Sequence, residues 1–198
     1  MFLIADAHRV AVPVEIRAGV ATEWDGSLLE GVVSGTARIG WGRSWSVDGT
    51  LKYKRVNAAV FAPALLSQGA AEGNGSFAMQ GPDPAKLAAG ARIQGNFTIE
   101  KGVLGSFDLS RVIQTAGKEV TGRTQFAELT GKGVYDSGAI ALRDVNIAAG
   151  ALNAGAAVNI APSGKLSGRV VADVKTAGHV LRSAIELAGT ASQPEVKK

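Results

Sequence analysis

Through much of the chain apolar and polar side chains alternate with a period of two residues, and that period places successive side chains on opposite faces of a β-strand. Val10, Val12, Val14 and Ile16 alternate with Arg9, Pro13, Glu15 and Arg17. Pro13 cannot donate to a ladder, so this segment is expected at a sheet edge. Trp45, Val47, Gly49, Leu51 and Tyr53 alternate with Ser46, Asp48, Thr50, Lys52 and Lys54. Ile93, Gly95, Phe97 and Ile99 alternate with Arg92, Gln94, Asn96, Thr98 and Glu100, and Lys101-Gly102 reads as a turn into Val103-Leu104. Leu152, Ala154, Ala156, Val158 and Ile160 face one way, Pro162 to Gly164 turns the chain, and Leu166, Gly168, Val170, Ala172 and Val174 return as the second arm of a hairpin. Before that hairpin, Asp136-Ser137-Gly138 is a turn and Ala139 to Ile147 holds two short apolar runs. After it, Ser183, Ile185 and Leu187 suggest a closing strand. The expected fold is mainly β: an elongated or curved antiparallel sheet, groove-like or sandwich-like, with two or three short helices.

Three helices follow from capping signals. Asn57 is placed to cap Ala58 to Ser67, with Pro63 shortening or kinking that helix. Asp83 before Pro84 opens Ala85 to Ala91. Asp108 caps Leu109 to Ala116, where Leu109, Val112 and Ile113 form an apolar stripe that Gly117 ends. The Gly-rich stretch Gly69 to Gly75 is too brief for an interdomain linker, so residues 1–198 are read as one domain.

Composition sets the class. Hydrophobic residues at 46% against 19% charged give enough apolar surface for a core. The net charge of +4 comes from 21 scattered Lys and Arg, whose densest group is Lys52, Lys54 and Arg55, as on a solvated strand face. That pattern, with the single Trp41, Arg43 and Trp45 cluster, does not make a nucleic-acid track. Without Cys there is no disulfide framework, and redox leaves the compartment open. The start, Met1 to Asp6, lacks the charged and long apolar regions of a signal peptide or membrane span.

Catalytic constellations are not legible. Gly73-Asn74-Gly75 leads into a strand, and Gly131-Lys132-Gly133 lies between Leu129 and Tyr135 with no helix behind it, so each reads as a turn or bulge and not a phosphate cradle. Gly31-Val32-Val33-Ser34-Gly35 has the wrong spacing for a nucleophile elbow. His8 and His179, the only two histidines, have no orienting partner nearby in sequence and form no metal-ligand cluster. Asp83 and Asp108 read as caps and Asp136 as a turn residue. Asn74-Gly75-Ser76 and Asn96-Phe97-Thr98 match a glycosylation acceptor that is common by chance. The expectation is a non-enzyme with no cofactor and no metal.

Between 92 and 194 the residues resemble a known family. Gly95-Asn96-Phe97-Thr98-Ile99-Glu100-Lys101-Gly102-Val103-Leu104, then Phe107-Asp108-Leu109, Thr124 to Gly131, Ser137 to Ile147, Gly150-Ala151-Leu152, Asn159-Ile160, Gly164 to Gly168 and Leu187 to Pro194 are similar to the C-terminal region of the AsmA family of bacterial envelope proteins. Trp45 to Leu66 and Asp83 to Leu87 match its middle segment more loosely. The resemblance implies a periplasmic protein of the Gram-negative envelope, anchored in the inner membrane through a parent-chain helix absent here. It also implies an elongated sheet whose apolar groove serves phospholipid movement and outer-membrane biogenesis.

The residues themselves pose a related question, because a sheet with one apolar face needs a second sheet, helices or an apolar ligand to cover it. The expected helices are too few and too short to cover it all. Ile93, Phe97, Ile99, Leu152, Val158, Ile160, Leu166, Val170 and Val174 are therefore the candidate lining of an apolar groove for phospholipid or another lipid, and the same residues would equally serve as ordinary core. The alternative is a structural or interaction module of a periplasmic secretion or assembly complex, with sheet edges that recruit other envelope proteins.

Overall fold

The computed structural model describes residues 21–61, 63, 65–105, 108–115, 119 and 121–197. The strand expected over Val10 to Ile16, His8, and the helix-ending Gly117 lie outside the described residues.

Among the described residues eleven strands follow one another in the order of the chain: β1 (Ala21–Leu28), β2 (Gly31–Gly40), β3 (Trp45–Asn57), β4 (Leu66–Gly81), β5 (Arg92–Leu104), β6 (Thr124–Asp136), β7 (Ala139–Ala149), β8 (Leu152–Ile160), β9 (Leu166–Thr176), β10 (His179–Gly189) and β11 (Pro194–Lys197). Each pairs antiparallel with the next, giving one open, curved meander. Seven of the ten connections are turns of two to five residues. Ser137 and Gly138 both take positive φ between β6 and β7, as a two-residue hairpin whose twist matches its strands requires.

The β8–β9 hairpin forms with the expected facing, Ile160 opposite Leu166 and Leu152 opposite Val174. Four expectations are corrected. Lys101-Gly102 is no turn: β5 runs through it with Gly102 opposite Phe126 of β6, and Lys101 takes a φ of 50° at a bulge against β4. The two apolar runs of Ala139 to Ile147 are one strand, β7, interrupted by a bulge between Leu142 and Val145. Gly73-Asn74-Gly75, expected to lead into a strand, lies inside β4 and pairs with both neighbouring strands. The sheet closes on β11, one strand beyond the one expected at Ser183 to Leu187.

The helices are shorter than their signals suggested. Asn57 does cap, its side-chain oxygen accepting from Ala59 N, but α1 spans only Ala58–Phe61. Pro63 has no N–H to continue the ladder, and β4 begins at Leu66. Asp83 accepts from Lys86 N at 3.1 Å and opens a 3-10 turn, Pro84–Gly90, not an α-helix over Ala85 to Ala91. With none of its residues buried, that segment lacks the apolar stripe that stabilises a longer helix. α2 covers Leu109–Gln114 and buries Leu109, Val112 and Ile113 as expected. Asp108 accepts from Arg111 N at 3.0 Å, and Thr124 Oγ1 accepts from Leu109 N at 2.9 Å, so two of the donors left over at the helix start are satisfied.

Candidate functional site: the apolar face of the sheet

Partners directly across a ladder share a face, so the register shows which side chains gather. Ile99, Leu129, Ile147, Ala154 and Ala172 form one row across β5 to β9. Ile93, Tyr135, Ile140, Ile160 and Leu166 form another toward the opposite end of the strands. Phe97 faces Gly131, Val158 faces Leu142 and Gly168, Val170 faces Ala156, and Leu152 faces Val174. All nine sequence-derived lining residues therefore stand on one side of the sheet.

Their burial divides them. Ile99, Leu152, Leu166, Val170 and Val174 are buried, and Leu152 is only 2% exposed. Phe97, Val158 and Ile160 are half-buried, and Ile93 is 36% exposed. α2 explains part of the division. Its three apolar residues join one cluster with Leu66, Phe126, Leu152 and Val174, so the helix covers the end of the face nearest the β7–β8 turn. α1 adds Ala58 to the same end. Burying such side chains contributes roughly 1.5–3 kcal/mol each, and the covered end is where that contribution is collected.

Beyond the helices the face continues over β1 to β4 as half-buried Trp24, Val47, Leu51, Tyr53 and Phe77. Period-two alternation puts Val47, Leu51 and Tyr53 on an apolar strand face outside the expected groove lining, and no expected strand corresponds to β1 or β2. Tyr53 crosses Gly73 and donates its hydroxyl to Asn96 O at 3.2 Å, and burial pushes its phenol above the ordinary tyrosine range.

The other face is polar. Thr36 and Thr50 hydroxyls bond at 2.9 Å, Gln94 donates to Ser76, and Lys132 Nζ donates to Asp144 Oδ2 at 2.8 Å. Open depressions of about 400 and 430 Å³ are bordered respectively by residues such as Asn74, Asn96, Lys132 and Asp144, and by Gln68, Lys101, Gln125 and Phe126. Gly131-Lys132-Gly133, expected as a turn or bulge, is a regular part of β6 paired with β5; the register shift against β7 between Thr130 and Lys132 puts the extra residue on β7, not on this triplet. Trp41 and Trp45 lean together, ring centroids 6.0 Å apart, and Trp41 remains exposed.

Acid and base groups stay dispersed. Asp83 and Asp108 are caps, Asp136 sits at its turn beside Arg92, and His179, expected in a turn region, opens β10 at the surface. Among the described residues no group of three His, Cys, Asp or Glu is arranged to hold a metal ion, and no helix is long and apolar enough to cross a membrane. The arrangement is suited to holding something apolar against a sheet. No family model matches the chain, and no curated protein or solved structure does so either.

Proposed function

We propose that this chain is a non-enzymatic envelope-biogenesis module of the periplasm, inner-membrane-anchored through its parent protein, that holds or guides phospholipid acyl chains along the apolar face of its sheet. The observation that carries the reading is the unequal cover of that face: α1 and α2 pack over one end, while toward the other Ile93 is exposed and Phe97, Val158 and Ile160 are half-buried beside the buried Leu166. Eleven strands at about 4.8 Å spacing make a sheet roughly 50 Å across. One leaflet of hydrocarbon is about 15 Å thick, so the face has room for more than one acyl chain. The resemblance of residues 92–194 to the AsmA family supports the same direction.

The test is native mass spectrometry of the protein purified in mild detergent, with extraction and identification of co-purifying lipid. Bound phospholipid is the expected result. Lipid-free protein, together with exclusion of apolar probes from Ile93 and Phe97, overturns the reading.

A further inference from the structure

β10 is eleven residues long, but only its last four, Glu186–Gly189, pair with β11. Its inner edge is paired with β9 without a register break from His179 to Leu187. Among the described residues no strand lies against the outer edge of residues 179–185. Alternate residues of a strand turn their N–H and C=O to opposite edges, so three or four of these seven present backbone donors and acceptors that a further strand can use.

Folded sheets ordinarily blunt such an edge with proline, a bulge or inward-pointing charge. This stretch, His-Val-Leu-Arg-Ser-Ala-Ile, has no proline and no bulge, and its charge lies on the polar face. It also carries two strongly exposed large apolar residues, Val180 at 60% and Leu181 at 46%. Leu181 and Ile185 belong to the apolar face, opposite Val174 and Val170. On the polar face Arg182 stands opposite Asp173, with its Nε 3.3 Å from Oδ1, and Lys175 stands opposite Val180. Two cations beside one carboxylate leave that face of the edge positive.

We propose that the outer edge of β10 accepts an extended strand from another polypeptide, apolar on the side shared with Leu181 and Ile185 and acidic on the side shared with Arg182. Main-chain pairing supplies affinity in this mode of recognition, and alternate side chains supply selectivity. A second copy of this chain fits less well. The two-fold antiparallel register that uses all seven residues sets Arg182 directly against Arg182, and like charges so placed are destabilising. The proposal stands on the backbone edge and is independent of lipid binding.

The experiment is a titration of the isotope-labelled chain with an N-acetylated seven-residue peptide alternating valine and glutamate, followed by amide NMR shifts. Saturable shifts confined to 179–185 and the adjoining part of β9 are expected. A peptide with proline at its centre, and one with lysine replacing glutamate, should each bind about ten-fold more weakly, equivalent to about 1.4 kcal/mol. Absence of shifts, shifts at β1 instead, or equal binding of the three peptides overturns the proposal. So do concentration-dependent shifts at 179–185 without peptide, which would assign the edge to a second copy.

Discussion

The ring of Phe97 lies across the β5–β6 ladder on Gly131, where an added Cβ would sit 2.6 Å from Phe97 Cζ. The relationship recurs. Trp24 lies over Gly35, Tyr53 over Gly73, Phe77 over Gly49 and Phe126 over Gly102, each pair directly opposite in the ladder. A glycine on the apolar face leaves bare backbone there, and an aromatic ring from the next strand covers it. Five of the chain's eleven aromatic residues cover glycines in this way, over backbone that has no side chain of its own on that side.

Gly131→Ala should therefore destabilise the protein by about 1–3 kcal/mol, because the new methyl displaces a packed ring. In a Phe97→Ala background the same change should cost much less, since the ring is gone. Urea denaturation of the two single variants and the double variant measures the coupling. Additive effects would show that the ring and the glycine are independent.

The legible parts of the fold were those where the apolar phase stays constant. β5 up to Ile99, β8 and β9 keep one phase, and their faces were read correctly from sequence. Where the phase slips by one, the reading broke an element in two or stopped short. On β7 the apolar positions pass from Ile140 and Leu142 to Val145 and Ile147, an odd step that suggests two segments. The structure reconciles them with a bulge at Asp144, whose φ of 51° returns both halves to the same face. Arg55 on β3 and Lys101 on β5 do the same, at φ values of 55° and 50°. A phase slip flanked by a polar residue is thus the sequence signal for these bulges, and it resembles a turn when only one strand is considered. The groove lining was legible as a shared face. Its division into covered and accessible parts depends on where α2 docks, which strand periodicity does not encode.

Asp144 permits a separation of charge from backbone. Lys132 donates to it at 2.8 Å, holding the Asp144 carboxyl below the usual aspartate range and the Lys132 ammonium above the usual lysine range. The pair's contribution is present above the unfolded aspartate pKa of about 3.9 and fades as pH falls through the lowered folded value. At the alkaline end it is present below about 10.4 and fades as pH rises through the raised Lys132 value. Both side chains are exposed, so that contribution is small. Asp144→Asn, which tolerates positive φ, should melt close to the parent at pH 7, and Asp144→Ala should melt lower. Equal melting of the two variants would show that the bulge does not depend on residue 144.

At the start of α2 two caps differ in burial. Asp108→Ala removes a surface cap and should cost about 1 kcal/mol. Thr124→Val removes the acceptor for Leu109 N inside the core, and an unsatisfied buried donor costs about 1–3 kcal/mol. Chemical denaturation should rank Thr124→Val as the more damaging, with faster amide exchange across Leu109–Gln114 in both. The reverse ranking would mean that water reaches the helix start and that α2 covers the sheet less completely than its burial indicates.

The accessible and covered parts of the apolar face should respond oppositely to substitution. Leu152→Ala opens a cavity beneath α2 and should destabilise by about 2–5 kcal/mol. Ile93→Asn and Val158→Asn place polar groups where the side chains already meet solvent, so the fold should survive them with modest loss. Yet they interrupt the surface proposed to carry acyl chains, and the pair together should reduce co-purifying phospholipid several-fold at unchanged far-ultraviolet circular dichroism. Lipid content that follows thermal stability across all three variants, with no specific loss in the asparagine pair, would place any bound lipid elsewhere on the molecule. Separating those two outcomes requires only the melting curve and the lipid extract of each variant, because the covered and accessible residues stand on the same face and differ chiefly in what lies over them.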